Sequence, residues 1–274
     1  MVHFSENPTW EISKVSLYAY DLSKSRSFYG EIVGLSGNLA DNQNVFSNGL
    51  QELSLFSPNP SFAAEHSLIH NPQLSKVVNL SVRNIGDTKM FLKKNNTLYS
   101  TLLKESTEET EQIICYDPSM NLIGFSQRDQ IVSPADNTEW FFHHVNLQAH
   151  NVRECIAWYI GAASMIEGTW SAPSNMGDFS IDPKELAVLT LGGENRGLHI
   201  IRPDAGFGKR NGFAHNPSIG GHPAFCVPDI QAVMLRLDSA KIPYSDARTY
   251  AMTGYHQVYV YDPSFNLIEI NQRV

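Results

Sequence analysis

The chain contains two stretches that share one pattern of apolar and polar positions. Residues 14–35 read KVSLYAYDLSKSRSFYGEIVGL, and residues 144–165 read HVNLQAHNVRECIAWYIGAASM, at an offset of 130 residues. Both stretches begin with the alternation of a half-buried strand and then change to the period of an amphipathic helix. Tyr29 and Tyr159, each preceded by a bulky aromatic residue, fall on the apolar face of that helix. The pattern therefore predicts a strand followed by a helix, twice.

A second strand and helix are predicted midway through each half. Residues 75–96 read SKVVNLSVRNIGDTKMFLKKNN, and residues 220–244 read GGHPAFCVPDIQAVMLRLDSAKIPY, an alignment that places Val77 opposite His222. Asp229 is expected to cap the second of these helices, because its carboxylate can accept from free backbone N–H groups. Short strands and turns follow each helix. The chain is therefore predicted to be α+β, with four βαβββ units arranged as a tandem repeat.

Each half closes on a nearly identical segment. Residues 116–128 read YDPSMNLIGFSQR and residues 261–273 read YDPSFNLIEINQR, which agree at nine of thirteen positions. The offset here is 145, so the second half carries about fifteen additional residues, which we place in the Gly- and Pro-containing loop 202–221. The predicted organisation is a first module over residues 1–128, a linker over 129–139 and a second module over 140–274. The segments differ most informatively at Gly124 and Glu269.

Composition narrows the classes of protein to consider. Of the 274 residues 42% are hydrophobic and 18% charged, as in an ordinary globular protein. A net charge of −8 argues against nucleic-acid binding, which requires surplus Lys and Arg. We see no signal peptide and no apolar run that would span a membrane, so we expect a cytoplasmic protein. Three cysteines in apolar stretches are expected to be buried free thiols: Cys115, Cys155 and Cys226.

The order of these motifs resembles the vicinal oxygen chelate superfamily. The resemblance rests on a strand beginning HVxL, a helix containing FY or WY, and a last strand reading YDPxxNxIE, and it covers residues of about 12–128 and 140–273. That superfamily includes glyoxalase I, bleomycin-resistance proteins and type I extradiol dioxygenases, and the layout is closest to the dioxygenases. The resemblance implies paired βαβββ units whose open, curled sheets surround a divalent metal.

By this resemblance, metal ligands are expected at His144, His222 and Glu269. Two imidazoles and a carboxylate suit Fe(II), the ion we expect, or Mn(II), whereas Zn(II) and Ni(II) are alternatives. The matching positions of the first module hold side chains unsuited to a metal site: Lys14, Val77 and Gly124. The first module is thus expected to be structural. Taken singly, each ligand has an alternative. His144 would be an exposed histidine at a strand start, His222 a polar residue at a strand end, and Glu269 a carboxylate that faces solvent.

Other side chains are assigned by the same resemblance. Tyr259 matches a tyrosine that hydrogen-bonds the metal-bound catecholate in extradiol dioxygenases, and His256 resembles their substrate-side histidine but lies closer to the tyrosine. His199 falls where glyoxalase I places a fourth ligand, so it is expected as a ligand or as an acid/base. Apart from the resemblance, Arg248 and Tyr250 lie on the stretch that enters the metal-binding strands, and they are expected to hold an anionic or phenolic group of the substrate because Arg suits carboxylate recognition. The alternatives are a sheet aromatic for Tyr259, a core histidine for His199 and a surface salt bridge for Arg248.

The function implied is that of an extradiol-type dioxygenase acting on a catechol-like small molecule. The alternatives are a glyoxalase-type isomerase or lyase that stabilises an enediolate, and a non-catalytic protein that binds small molecules. The resemblance also implies a homo-oligomer. The substrate itself is not encoded in any of these motifs.

Overall fold

The first half of the chain provides seven strands among the residues that the computed structural model describes, which are 8–36, 44–102, 111–135, 138–170, 182–193, 195–250 and 252–274. Its strands are β1 (Trp10–Tyr18), β2 (Val45–Ser47), β3 (Glu52–Phe56), β4 (Val77–Val82), β5 (Tyr99–Leu102), β6 (Gln112–Tyr116) and β7 (Leu122–Gln127). Its helices are α1 (Leu22–Ser27), which continues as a π-helical turn (Phe28–Val33), α2 (Phe62–Glu65) and α3 (Ile85–Lys94).

Among its described residues the second half provides eight strands. They are β8 (Phe141–Gln148), β9 (Ile166–Glu167), β10 (Leu186–Thr190), β11 (Gly197–Ile201), β12 (His222–Cys226), β13 (Tyr244–Arg248), β14 (Tyr255–Tyr261) and β15 (Leu267–Arg273). Its helices are α4 (Val152–Ala163), α5 (Phe207–Arg210) and α6 (Ile230–Ser239). No helix in the described part of the chain has the length and apolarity needed to cross a membrane.

Each half folds into its own mixed sheet. The strand order is β2-β3-β1-β4-β7-β6-β5 in the first sheet and β13-β14-β15-β12-β8-β11-β10-β9 in the second. Three stretches have the full βαβββ order, starting at β4, β8 and β12, and the first unit shows β1, α1, β2 and β3 within the described residues. The α+β fold predicted from the sequence is confirmed.

Capping and the burial of apolar faces stabilise the helices. Asp229 caps α6 as predicted, with its Oδ1 accepting from the backbone N–H of Ala232 at 2.9 Å. Tyr29 and Tyr159 are fully buried on the apolar faces of the π-helical turn and α4. One cluster of buried apolar side chains extends through both halves, so the two sheets share a core. The three cysteines are buried and free, as expected.

The additional residues of the second half do not lie in the loop 202–221, so that prediction is wrong. The β3–β4 connection (57–76) and the β11–β12 connection (202–221) have equal length, and α2 and α5 occupy corresponding places in them. His70 and His215 make the same contact, from Nδ1 to the hydroxyl oxygens of Ser100 and Ser245 at 3.0 and 2.8 Å. The insertion therefore falls between α4 and β11. Gly and Pro indicated an irregular segment but did not mark where the two halves differ in length.

The YDPS turn of each half accepts a hydrogen bond from the other half. The hydroxyl of Tyr29 donates to Asp262 Oδ2 in the second half, and the hydroxyl of Tyr159 donates to Asp117 Oδ2 in the first, both at 3.0 Å. Burial raises the pKa of both tyrosines well above its usual value, so both hydroxyls remain protonated donors. The shared motif is therefore explained by the contact between modules.

The asparagine of each motif adds a second contact. Asn266 Nδ2 donates to the carbonyl of Tyr18 at 2.9 Å, and Asn121 Nδ2 donates to the carbonyl of Gln148 at 2.8 Å. Met120 and Phe265 precede these asparagines with φ of 66° and 63°, the left-handed region that favours glycine. Both side chains are exposed to solvent.

Replacing Tyr159 by Phe is expected to lower the free energy of unfolding by about 1–2 kcal/mol, because Asp117 loses a buried hydrogen bond. Tyr29→Phe should have an effect of similar size through Asp262. Urea unfolding followed by circular dichroism measures both. Tyr261→Phe, at a tyrosine that is 41% exposed, is the control and should change stability by less than about 0.5 kcal/mol. Wild-type stability in both buried variants would contradict the reciprocal contact.

Candidate metal centre

Three neighbouring strands of the second sheet bring the predicted ligands together. His144 lies on β8, His222 on β12 and Glu269 on β15, and β12 is the central strand of the three. Ala224 of β12 is opposite both His144 and Glu269, which aligns these two side chains across the sheet. All three side chains are buried, and their ligand atoms lie within 4.8 Å of one another. The described residues contain no other such group of three metal-ligating side chains.

The distances fit a shared ion. Glu269 Oε2 is 3.4 Å from His144 Nε2 and 3.5 Å from His222 Nε2. Both separations exceed those of ordinary hydrogen bonds, which are about 2.7–3.2 Å. They suit two donor atoms that each lie about 2.0–2.2 Å from one ion. The residues present therefore fit a divalent metal.

Burial sets the charges of the group. Burial acts to raise the pKa of Glu269, but the His144 and His222 imidazoles outweigh it and hold that pKa well below its usual range. Burial lowers the pKa of His222, which favours the neutral, ligating form. His222 Nδ1 has no hydrogen-bond partner among the described residues. A buried carboxylate between two imidazoles is the donor set that a divalent cation neutralises.

Three amides beside the triad escaped the sequence analysis. Asn271 Nδ2 donates to Glu269 Oε1 at 2.9 Å, and Asn146 Nδ2 donates to His222 Nε2 at 2.8 Å. Gln257 Oε1 accepts from the Tyr259 hydroxyl at 3.2 Å. Strand alternation carries the signal that was missed, because each amide is two residues from a predicted site residue and so shares its face of the sheet. For His222 Nε2 to bind an ion, the Asn146 amide must turn aside.

His199 lies beside the triad on β11. Its ring stacks on that of His144, with centroids 4.0 Å apart and an angle of 11° between planes. Its Nε2 is 2.5 Å from the carbonyl of Asn195, and Trp170 packs edge-on against the ring. Burial, followed by the neighbouring His144, holds the pKa of His199 well below its usual value. Nε2 therefore donates to the carbonyl, and Nδ1 of the neutral ring is left as an acceptor.

Two of the predicted substrate-side residues, His256 and Arg248, are not among the described residues that line the cavity beside the triad. His256 Nε2 pairs with Asp246 Oδ1 at 2.7 Å, and the Arg248 side chain, 84% exposed, lies 3.9 Å from the same carboxylate. His256 alternates along β14 with the cavity-lining Gln257 and Tyr259, so it points to the opposite face.

Tyr250 is also withdrawn from the cavity. Its hydroxyl donates to Asn211 Oδ1, and its ring packs against Phe207 and Phe213. Phe213 in turn contacts Tyr259, so Tyr250 supports the wall behind that residue. Tyr259 itself lines the cavity, with its ring centroid 5.5 Å from that of His222.

A cavity of about 60 Å³ opens beside the three ligands. The polar side chains that line it are His144, Asn146, His199, Ser218, Gln257, Tyr259 and Glu269. The rest of the wall is apolar and comes from Trp170, Leu186, Ile201, Phe207, Pro217 and Met252. The arrangement thus places one polar cluster at the side of an apolar cavity, the usual character of a small-molecule site.

The corresponding place in the first half is filled. Val77 packs there in a small apolar cluster with Ile114 and Leu122. A Cβ at Gly124 would lie 2.1 Å from Asn79 Oδ1, so a longer side chain does not fit. Lys14 points to Glu52 at 3.9 Å. At these three described positions the first module keeps the sheet but presents no imidazole or carboxylate for an ion.

Solved structures of known proteins share the fold. The 2,3-dioxygenase LapB from Pseudomonas sp. KL28 matches with a TM-score of 0.63 and 11% identity over 98% of this chain and 93% of its own. Homoprotocatechuate 2,3-dioxygenase from Brevibacterium fuscum, as an E323L mutant, matches with a TM-score of 0.63 and 14% identity over 99% and 74%. A Mn(II)-bound glyoxalase from Novosphingobium aromaticivorans matches with a TM-score of 0.62 and 13% identity over 97% and 82%.

The chain has the vicinal oxygen chelate fold. No protein-family model and no curated protein sequence matches it. At these identities the likeness establishes the fold alone, and the three structures just named include both dioxygenases and a glyoxalase. The predicted superfamily resemblance is therefore supported at the level of architecture. The choice between activities depends on the site.

Changing Glu269 to Gln is expected to reduce metal affinity by at least about 100-fold, since changes to residues that merely support a ligand already cost 10–100-fold. Elemental analysis after reconstitution with Fe(II) or Mn(II), together with competition against a chelator, measures the loss. Asp246→Asn is the control, because that carboxylate pairs with His256 outside the cavity. Wild-type metal content in Glu269→Gln would show that the ion, if bound, is held elsewhere.

Proposed function

We propose that this protein is a metal-dependent, extradiol-type dioxygenase that opens the ring of a catechol-like diol. The observation that carries the proposal is the convergence of His144, His222 and Glu269 beside a cavity that also contains His199 and Tyr259. Two imidazoles and one carboxylate are the ligand set of non-haem Fe(II) oxygenases. The chemistry that bound Fe(II) supplies is Lewis acidity toward two vicinal oxygens and open coordination positions for O₂.

His199 is assigned the role of general base. It is neutral because burial holds its pKa low, and its Nε2–H is held by the carbonyl of Asn195. Nδ1 is therefore the atom that takes up a proton from a substrate hydroxyl. The buried Glu269 carboxylate favours the imidazolium that results.

Tyr259 is assigned the role of hydrogen-bond donor. Burial, and then the Glu269 carboxylate, raises the pKa of its hydroxyl well above the usual value, so it remains protonated at neutral pH. The hydroxyl now donates to Gln257 Oε1 at 3.2 Å, which is a long hydrogen bond. A substrate oxygen would replace Gln257 as its acceptor. A fixed neutral donor of this kind stabilises charge that develops on the substrate oxygen.

The cavity favours an uncharged substrate. Lys and Arg are missing from the described residues that line it, and the undescribed stretch 171–181 next to Trp170 contains neither. A carboxylate on the ring would be buried without a cationic partner, at a cost of several kcal/mol. The apolar wall suits hydrogen or an alkyl group instead. We therefore propose a neutral catechol with an apolar substituent.

Entry of the ring requires the wall to open. The cavity of about 60 Å³ is smaller than the roughly 150 Å³ that holds benzene in a protein core. Trp170 packs over His199, and Met252, which is buried, forms another part of the wall. These side chains are the ones that must separate.

A glyoxalase-type isomerase is the second candidate. The same triad would hold the divalent metal that stabilises an enediolate, and His199 would be the base. The Mn(II)-bound glyoxalase among the structural neighbours favours this alternative. Consumption of O₂ separates the two activities, because an isomerase consumes none.

Protein loaded with Fe(II) without air is expected to consume O₂ with 4-methylcatechol. The value of kcat/KM should exceed that for 3,4-dihydroxybenzoate by at least 10-fold, roughly the effect of burying an unpaired charge. An oxygen electrode and the absorbance of the ring-opened product measure both reactions. Absence of uptake across neutral catechols would overturn the dioxygenase, and a preference for the carboxylate would overturn the substrate class.

His199→Gln is expected to lower kcat by about 10²–10⁴-fold, because the cavity loses its general base. Metal content should remain that of the wild type, since His199 lies outside the group of three ligands. Steady-state oxygen uptake with elemental analysis of the same sample measures both. Loss of the metal together with kcat would instead identify His199 as a ligand.

A further inference from the structure

His143 occupies a β-bulge at the metal centre. Along the β8–β12 pair, Ala224 is opposite His144 and Phe225 is opposite Phe142, so His143 has no opposite residue. An extra residue of this kind bends its strand and re-aims a side chain. As a result, the Nδ1 atoms of His143 and His144 are 2.9 Å apart, although adjacent residues of a regular strand point to opposite faces.

The first half has the same bulge without the histidine. Between β1 and β4, Ile12 is opposite Leu80 and Lys14 is opposite Asn79, which leaves Ser13 as the extra residue. Ser13 Oγ donates to the carbonyl of Asn79 at 3.1 Å. The bulge therefore belongs to the repeated fold, whereas the imidazole occurs only in the half that has the three ligands.

The positions of the protons decide what His143 does. His144 Nε2 faces Glu269 Oε2, and it can bind an ion only if the ring carries its proton on Nδ1. That N–H needs an acceptor, and metal-binding histidines nearly always have one. Among the described residues, His143 Nδ1 is the atom in contact with His144 Nδ1.

The environment of His143 is consistent with an acceptor at Nδ1. The residue is buried, and its ring packs against Tyr255 with centroids 4.4 Å apart. With Nδ1 accepting, the neutral ring carries its proton on Nε2, which has no hydrogen-bond partner among the described residues. Among the described residues Nε2 is unpaired in either tautomer, so its cost does not decide where the proton lies, and the 2.9 Å contact at Nδ1 carries the inference.

We propose that His143 is a positioning residue that accepts the Nδ1–H of His144 and so holds His144 in the tautomer whose Nε2 can bind the metal. The inference rests on the proposed metal site, and it names a residue outside that site's three ligands. His143 is not among the described residues that line the cavity.

Two variants test the proposal through metal affinity. His143→Phe keeps the shape and removes the acceptor, and it should weaken Mn(II) or Fe(II) binding by about 10–100-fold. His143→Asn places Oδ1 near the position of Nδ1 and should restore most of the affinity. Chelator competition measures affinity, with circular dichroism to verify folding. Wild-type affinity in His143→Phe, or no recovery in His143→Asn, would overturn the proposal.

Nitrogen NMR of the metal-free wild type provides a test that needs no variant to fold. In protein labelled with ¹⁵N-histidine, His144 should be the Nδ1–H tautomer and His143 the Nε2–H tautomer. An Nε2–H tautomer at His144 would overturn the inference. Failure of the wild type to bind any divalent ion would overturn the metal site itself, a separate result that leaves the tautomer measurement valid.

Discussion

The buried carboxylate of Glu269 is the constraint on which the centre of the second sheet depends. An ionised carboxylate in an apolar interior costs several kcal/mol unless partners compensate it. Here the compensation comes from imidazoles on the two neighbouring strands and from the Asn271 amide at 2.9 Å. Because the partners are on β8 and β12, the chemistry of the site requires the strand order of the second sheet.

The duplicated chain satisfies two requirements with one motif. The aspartate of each YDPS turn accepts a hydrogen bond from a tyrosine hydroxyl of the other half. Both copies must therefore retain this aspartate, and with it the asparagine of the turn. The carboxylate on the following strand is needed only where imidazoles surround it. In the first half that position is Gly124, and the Asn79 side chain fills the space a longer residue would occupy.

The same features relate fold to activity. The triad is polar, its cavity is largely apolar, and the two residues proposed to transfer or donate protons are kept neutral by burial. Low polarity strengthens each remaining electrostatic interaction. A bulge that both halves share gives His144 a neighbour suited to orient it. The site is thus an elaboration of positions that the repeat already provides.

The sequence alone determined the repeat, the α+β class and the Asp229 cap, because alternation and spacing reflect local geometry. The three side chains that converge were expected only through the resemblance to the superfamily. Only the tertiary structure decided the rest. His256 and Arg248 point away from the cavity, and the insertion lies in the segment before β11. Asn146, Gln257 and Asn271 lie beside the ligands. Those outcomes depend on strand pairing and bulges between residues far apart in the chain, which no single stretch of sequence encodes.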